Sequence, residues 1–259
     1  MENLFWNNVP LRIYERIGRF KRKKIEKKFE GDEVACTICH SKYREFGRIG
    51  VKKRPNAKCH NCGSLERHRL IWKYLCEKEL LKAPISLLHF APEKALYEIF
   101  SSLPNIEYFP CDLDPKKYNS WGKTKVSKGD VTNIPYDSGK FDLILCNHVL
   151  EHVPDDKLAM SELFRVMKQG GSGIFQVPID DQRTETYEDF SIVTPKGRLK
   201  AFGQHDHVRW YGRDYGDRLR IAGFHVVEDD FVKGFSEKEQ YKYGFMDTEL
   251  IYLCKKLGD

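Results

Sequence analysis

Residues 141–178, FDLILCNHVLEHVPDDKLAMSELFRVMKQGGSGIFQVP, compress a strand, a loop, a helix, a glycine turn and a second strand into one phrase. Residues 141–146 form an apolar run too short for a core helix, and Asn147-His148 interrupts it with polar groups at its carboxyl end. In an open α/β sheet that end is where ligands bind. Asp155 or Asp156 can cap the following helix, because Leu158, Leu163, Val166 and Met167 recur at helical spacing. Gly170-Gly171 is expected to stop it before residues 173–177 resume an extended run.

Working outward, short apolar runs at residues 85–90, 106–111, 124–127, 141–146, 173–177, 224–228 and 249–254 alternate with helical patterns. That alternation predicts an α/β domain with a mostly parallel sheet over residues 85–259. With 259 residues and 41% hydrophobic content, the chain can bury one substantial core and a small appended module. No apolar stretch approaches the ~20 residues that span a bilayer. Charges interrupt the apolar amino terminus, unlike a secretory signal, so a cytoplasmic protein is expected.

Charge divides the chain unevenly. Residues 1–70 hold 18 Lys and Arg against 8 Asp and Glu, a net +10, and the remainder holds 26 against 30, a net −4. A basic front admits contact with nucleic acid, an anionic glycan or a membrane surface, and equally a solvated face. Within residues 1–30, Leu11, Ile13, Tyr14, Ile17, Phe20, Ile25 and Phe29 fall at rough helical spacing among many cations, predicting a basic amphipathic helix. Its apolar side suits the protein body or a membrane surface.

Of eight cysteines, four form two CxxC pairs, Cys36-Thr-Ile-Cys39 and Cys59-His-Asn-Cys62, separated by nineteen residues. Each short knuckle can direct two thiolates at one tetrahedral ion, which supplies folding energy that so few apolar residues lack. Residues 31–63 are therefore expected to form a structural zinc ribbon, with His40 and His60 beside the knuckles as substitute ligands. The singletons Cys76, Cys111, Cys146 and Cys254 sit in apolar contexts as small hydrophobes, which argues against a disulfide framework. Ser64 is placed to cap a connecting helix within residues 64–84.

From residue 85 onward, Asp112 and Asp114 follow the second strand, Gly129-Asp130 the third, and Asn147 to Pro154 the fourth. With the phrases KGDVTNIPYDSGKFDLILCNHVLEHVPD and FRVMKQGGSGIFQVP, this order resembles the class I S-adenosylmethionine-dependent methyltransferases, specifically the methyltransferase type 11 group, over about residues 85–256. The resemblance implies a Rossmann-like fold with a seven-stranded sheet, and S-adenosyl-L-methionine as cofactor beside the structural Zn2+. It implies Asp112, with Asp114 as substitute, on the ribose hydroxyls, since a carboxylate can accept from two hydroxyls at once. It implies Asp130 and the Val131 N–H on the adenine, and Asn147 at the cofactor. The family's glycine-rich first turn is replaced by Leu88-His89-Phe90-Ala91-Pro92-Glu93, without glycine, so His89, Ala91 and Glu93 become the expected contacts there.

Methyl transfer from a sulfonium is an in-line displacement, for which alignment and exclusion of water suffice, while an acceptor hydroxyl must also lose a proton. His148 is the candidate base just past the fourth strand, and His152 follows one turn later. The insertion 179–212 is expected to cover the acceptor, with His205 and His207 as further catalytic candidates and Asp206, Arg209 and Tyr211 as substrate contacts. His205-Asp206-His207 also offers ligands to a second metal, without naming partners elsewhere.

These features predict a methyltransferase acting on a small-molecule or glycan acceptor. A second expectation is a ribosomal or transfer RNA methyltransferase, whose basic front holds RNA through Tyr43, Phe46 and Lys52-Lys53-Arg54. A third is a catalytically silent scaffold, given the glycine-free turn.

Overall fold

The computed structural model describes residues 27–50, 53–122 and 124–258. The helix expected within residues 1–30 lies almost wholly outside them, as does Lys52. Among the described residues no helix is long and apolar enough to cross a membrane. The described residues fall into two compact units, one within 27–83, 93–103 and 230–250, the other within 84–92, 104–229 and 251–258.

In the first unit, Val34–Ala35 pairs with Lys42–Tyr43 and Gly47–Ile49 with Arg54–Lys58, both antiparallel. A helix over Glu66–Glu77 buries Leu70, Ile71, Tyr74 and Leu75 on one side. Its amino cap is Leu65 rather than the expected Ser64. The Leu65 N–H donates to His68 Nδ1 at 3.3 Å, while the buried Ser64 hydroxyl lies 3.3 and 3.2 Å from the sulfurs of Cys36 and Cys62. Fully buried Arg69 organises this unit. Its guanidinium donates to the carbonyls of Ala57, Ser64, Tyr243 and Gly244 and lies 4.0 Å over the Phe46 ring. Phe46 and Tyr43 are thus buried in the core, which corrects the expectation that they stack on bases.

The second unit contains a seven-stranded sheet. Its strands are β1 (Ile85–Phe90), β2 (Ile106–Asp112), β3 (Ser127–Lys128), β4 (Phe141–Cys146), β5 (Met167–Ile174), β6 (His225–Asp229) and β7 (Ile251–Lys255). They lie in the order β6-β7-β5-β4-β1-β2-β3. Only β7 runs antiparallel to its neighbours. The order reverses between β1 and β4, which places the ligand crevice beyond their carboxyl ends. Both strands are apolar nearly throughout, as burial on both faces demands.

Every expected strand is present, with two shifts. β3 shrinks to two edge residues, and β5 starts at Met167, directly after the helix Asp156–Val166. Gly170 and Gly171 lie inside β5, where the register against β4 slips, and Gly170 has φ +75. The pair therefore builds a bulge rather than stopping the helix. The four single cysteines are all buried and none is in a disulfide, and burial pushes the Cys111 thiol up to about 11 and that of Cys76 to about 12.

Candidate active site

Among the described residues of the second unit, two non-glycine residues have positive φ, Ala91 at +45° and His148 at +54°. They follow β1 and β4, the adjacent strands at the switch point. Left-handed backbone costs an L-residue about 1–2 kcal/mol, and such strain concentrates where function requires it. Each turn is held by its neighbours. The Ala91 N–H donates to Cys111 O at 2.9 Å and the His148 N–H to Gln176 O at 2.7 Å. The glycine-free turn has therefore kept a backbone conformation that glycine favours, using the smallest side chain available.

Directly after β4 and before His148 comes Asn147, buried, with neither its amide nitrogen nor its amide oxygen hydrogen-bonded. An orphaned primary amide in a protein interior is costly unless a ligand completes it. At the end of β2, the buried Asp112 carboxylate accepts from the Asp114 N–H and the Tyr118 hydroxyl, both at 2.7 Å, one on each oxygen. Each oxygen keeps a further lone pair. Asp114 itself is exposed and precedes the 3-10 turn Pro115–Tyr118. Gly129 is required where the chain leaves β3, since a Cβ there would lie 2.4 Å from the Cys111 sulfur. Asp130 follows, exposed, with one oxygen accepting from the Thr132 N–H and hydroxyl, and Val131 is buried. The residues present fit the adenosyl part of the cofactor, with buried acceptors at β2, an amide without partners at β4, and an exposed carboxylate at β3.

Two of the turn residues expected at the cofactor meet protein groups. His89 is fully buried in β1, its Nδ1 2.9 Å from the Tyr108 hydroxyl of β2. Glu93 falls in the first unit, where it precedes the helix Lys94–Phe100 and its carboxylate lies 3.7 Å from His68 Nε2.

Beyond β4, His148 Nδ1 lies 3.2 Å from Glu151 Oε1. His148 Nε2 and Glu151 Oε2 are buried without partners. His207 is buried beside them and packs edge-on against His152 with ring centres 4.8 Å apart. Burial lowers the His207 imidazole from its ordinary value; the nearby Glu151 carboxyl opposes that shift and His152 reinforces it. His205 is 70% exposed and takes no part in this group, and Asp206 is half exposed, its backbone carbonyl 3.3 Å from His152 Nδ1.

The insertion is ordered by Tyr187–Glu188 pairing with Arg209–Trp210 and by a helix over Pro195–Phe202 capped by Thr194. Arg209, expected to meet substrate, is instead a buried clamp. Its guanidinium donates to the carbonyls of Leu150, Val153 and Pro154 and to Glu188 at 3.0 Å. Tyr211 is likewise fully buried, donating to Asp156 at 2.7 Å, and Arg218 donates to both oxygens of the same carboxylate. Burial, then the Asp156 charge, pushes the Tyr211 hydroxyl well above its ordinary value. With their polar groups committed, Arg209 and Tyr211 fix the insertion onto the Leu150–Asp156 segment.

Residues 87–175 match the family described as Methyltransferase domain. The matched stretch runs from β1 into the segment just after β5, across the switch point. The demethylmenaquinone methyltransferase of Staphylococcus carnosus is 26% identical over 136 residues, covering 47% of this chain and 54% of that protein. That of Streptomyces avermitilis is 35% identical over 98 residues, covering 36% and 40%. The chain thus spans about half or less of the length of these curated relatives. The crystal structure of the cyclase SpnF superposes with a TM-score of 0.50 at 14% identity, covering 83% of this chain and 88% of that one, which shows the fold alone.

Sequence reasoning missed Glu151 in the second unit, treating it as part of a loop. Its signal was a carboxylate three residues after His148 and one before His152. In the first unit, the four ribbon cysteines are buried together, with Cys36 and Cys62 sulfurs 3.7 Å apart and Cys39 and Cys59 sulfurs 3.6 Å apart. A tetrahedral shell with Zn–S near 2.3 Å needs about 3.8 Å between sulfurs, so the donor set fits one ion. The neighbouring thiols of Cys36 and Cys59 favour the thiolate of Cys39, while those of Cys36 and Cys39 hold Cys59 protonated. His60 is turned away, stacked on Phe29 and 3.1 Å from Glu45 O.

Proposed function

We propose that the protein is an S-adenosylmethionine-dependent methyltransferase acting on a polar small-molecule or carbohydrate-like acceptor, and that Cys36, Cys39, Cys59 and Cys62 hold one structural Zn2+. The observation that carries the cofactor reading is the orphaned Asn147 amide at the end of β4, beside the strained residue His148. The bound cofactor supplies an electrophilic methyl group. Asp112 accepts from its ribose hydroxyls, Asp130 and the Val131 backbone meet its adenine, and Asn147 completes its amide on the bound molecule. His148, aligned by Glu151 through Nδ1, keeps Nε2 free to take a proton from an acceptor hydroxyl. The insertion, pinned by Arg209, limits access of water.

A polar acceptor is favoured because His148 Nε2, Glu151 Oε2 and Trp210 Nε1 are all buried without partners. The RNA reading loses its stacking platform with the burial of Tyr43 and Phe46. Calorimetric titration of the zinc-loaded protein with S-adenosylmethionine and with its demethylated product tests the proposal. Saturable one-to-one binding of both is expected, and no heat from either, with the protein folded, would overturn it.

A further inference from the structure

We propose a second metal site in the methyltransferase domain, in which Glu151, His152 and His207 bind a divalent first-row transition ion. One ligand atom from each lies within 4.8 Å of the others, a spacing that an ion can bridge. The set is one carboxylate and two imidazoles, which leaves coordination positions open to a small oxygen or nitrogen donor. Two nitrogen ligands out of three favour zinc, iron, cobalt or nickel over calcium and magnesium, which prefer oxygen.

Three observations carry the assignment beyond mere proximity. Glu151 is 2% exposed, and its Oε2 has no hydrogen-bond donor, so a carboxyl oxygen is buried without the partner that burial demands. Its other oxygen is fixed by His148 at 3.2 Å, an outer contact that orients a ligating carboxylate. The two segments that supply the ligands are also locked together. The Val208 N–H donates to Glu151 O at 2.9 Å, and Arg209 grips the carbonyls of Leu150 and Val153 on either side of Glu151 and His152. Ligands from residues 151–152 and 207 therefore keep a fixed spacing. His205, which the alternating sequence pairs with His207, is exposed and excluded.

Cobalt titration of the metal-stripped, full-length protein separates this site from the cysteines. Thiolate ligation gives an intense near-ultraviolet charge-transfer band, while a carboxylate–imidazole site gives visible ligand-field bands alone. The proposal expects one Co2+ equivalent without thiolate character, displaced by Zn2+ and not by Mg2+ or Ca2+. It expects Glu151→Gln and His152→Asn to weaken that equivalent by more than about 100-fold, beyond the 10–100-fold that outer contacts cost. The thiolate-bound equivalent should be unchanged in both variants. Glu151→Gln preserves shape, and His152 is half exposed, so circular dichroism should report folded protein for both. The proposal is overturned if all bound cobalt shows thiolate charge transfer, or if the other equivalent survives in both variants at wild-type affinity. Since the readout is metal occupancy, failure here leaves the methyl-transfer reading to its own calorimetric test.

Discussion

Two buried polar clusters lie within a few residues of each other in sequence and differ in one respect. Around Asp156, two carboxylates meet two guanidiniums and a tyrosine hydroxyl, and Asp156 is bonded on both oxygens. From Asn147 to Glu151, an amide, an imidazole nitrogen and a carboxylate oxygen are buried with nothing to bond. The first cluster is complete without a ligand and the second is not. Saturation marks polar groups that hold the fold, and orphaned groups mark where a ligand completes the interior.

Removing a member of the saturated cluster should do the most damage. Asp156→Ala leaves the buried Tyr211 hydroxyl unpaired and the Arg209 and Arg218 guanidiniums with Glu188 as their remaining carboxylate, so urea denaturation should show a loss of about 3–5 kcal/mol. A loss below about 1 kcal/mol would erase the distinction between the clusters.

Next in size is a catalytic effect without a matching structural one. His148→Gln keeps a polar side chain but removes the base, so the methyl-transfer rate should fall about 100-fold, or ~2.7 kcal/mol in barrier, with stability within about 1 kcal/mol of wild type. Equal turnover would remove His148 from proton transfer.

The smallest effect belongs to Asp142, a satisfied but partly exposed control. Burial alone would raise its carboxyl, and the Lys168 ammonium with the Ser86 hydroxyl and N–H outweigh it, holding it below its ordinary value of 3.8. Its contribution is therefore present above pH 3.8 and lost as pH falls through the lowered folded value. In acid denaturation, Asp142→Asn should be slightly less stable than wild type at neutral pH and converge with it in acid, which flattens the stability curve below pH 3.8.

The same contrast explains what the sequence disclosed. Strand periodicity and the acidic residues after β2 and β3 announced the sheet and its ligand edge, because burial pattern and strand order are written locally. The roles of Arg209 and Tyr211 were not legible, since a cation and a phenol in a polar insertion look the same whether they meet substrate or a carbonyl fifty residues earlier. Likewise Tyr43 and Phe46 read as exposed aromatics until Arg69 was seen threading the ribbon. The Glu151 cluster was hidden because one of its three members, His207, arrives from a distant segment of the chain. Ser64 failed as a helix cap because its hydroxyl lies at the cysteine sulfurs, a contact from thirty residues away.

The most direct test of the distinction is Asn147→Ala, measured for thermal stability without ligand and for calorimetric affinity toward S-adenosylhomocysteine. Orphaned groups that await a ligand predict an unchanged or slightly raised melting temperature, with affinity weakened about tenfold or more, or ~1.4 kcal/mol. A destabilised protein that binds S-adenosylhomocysteine as tightly as wild type would contradict the account.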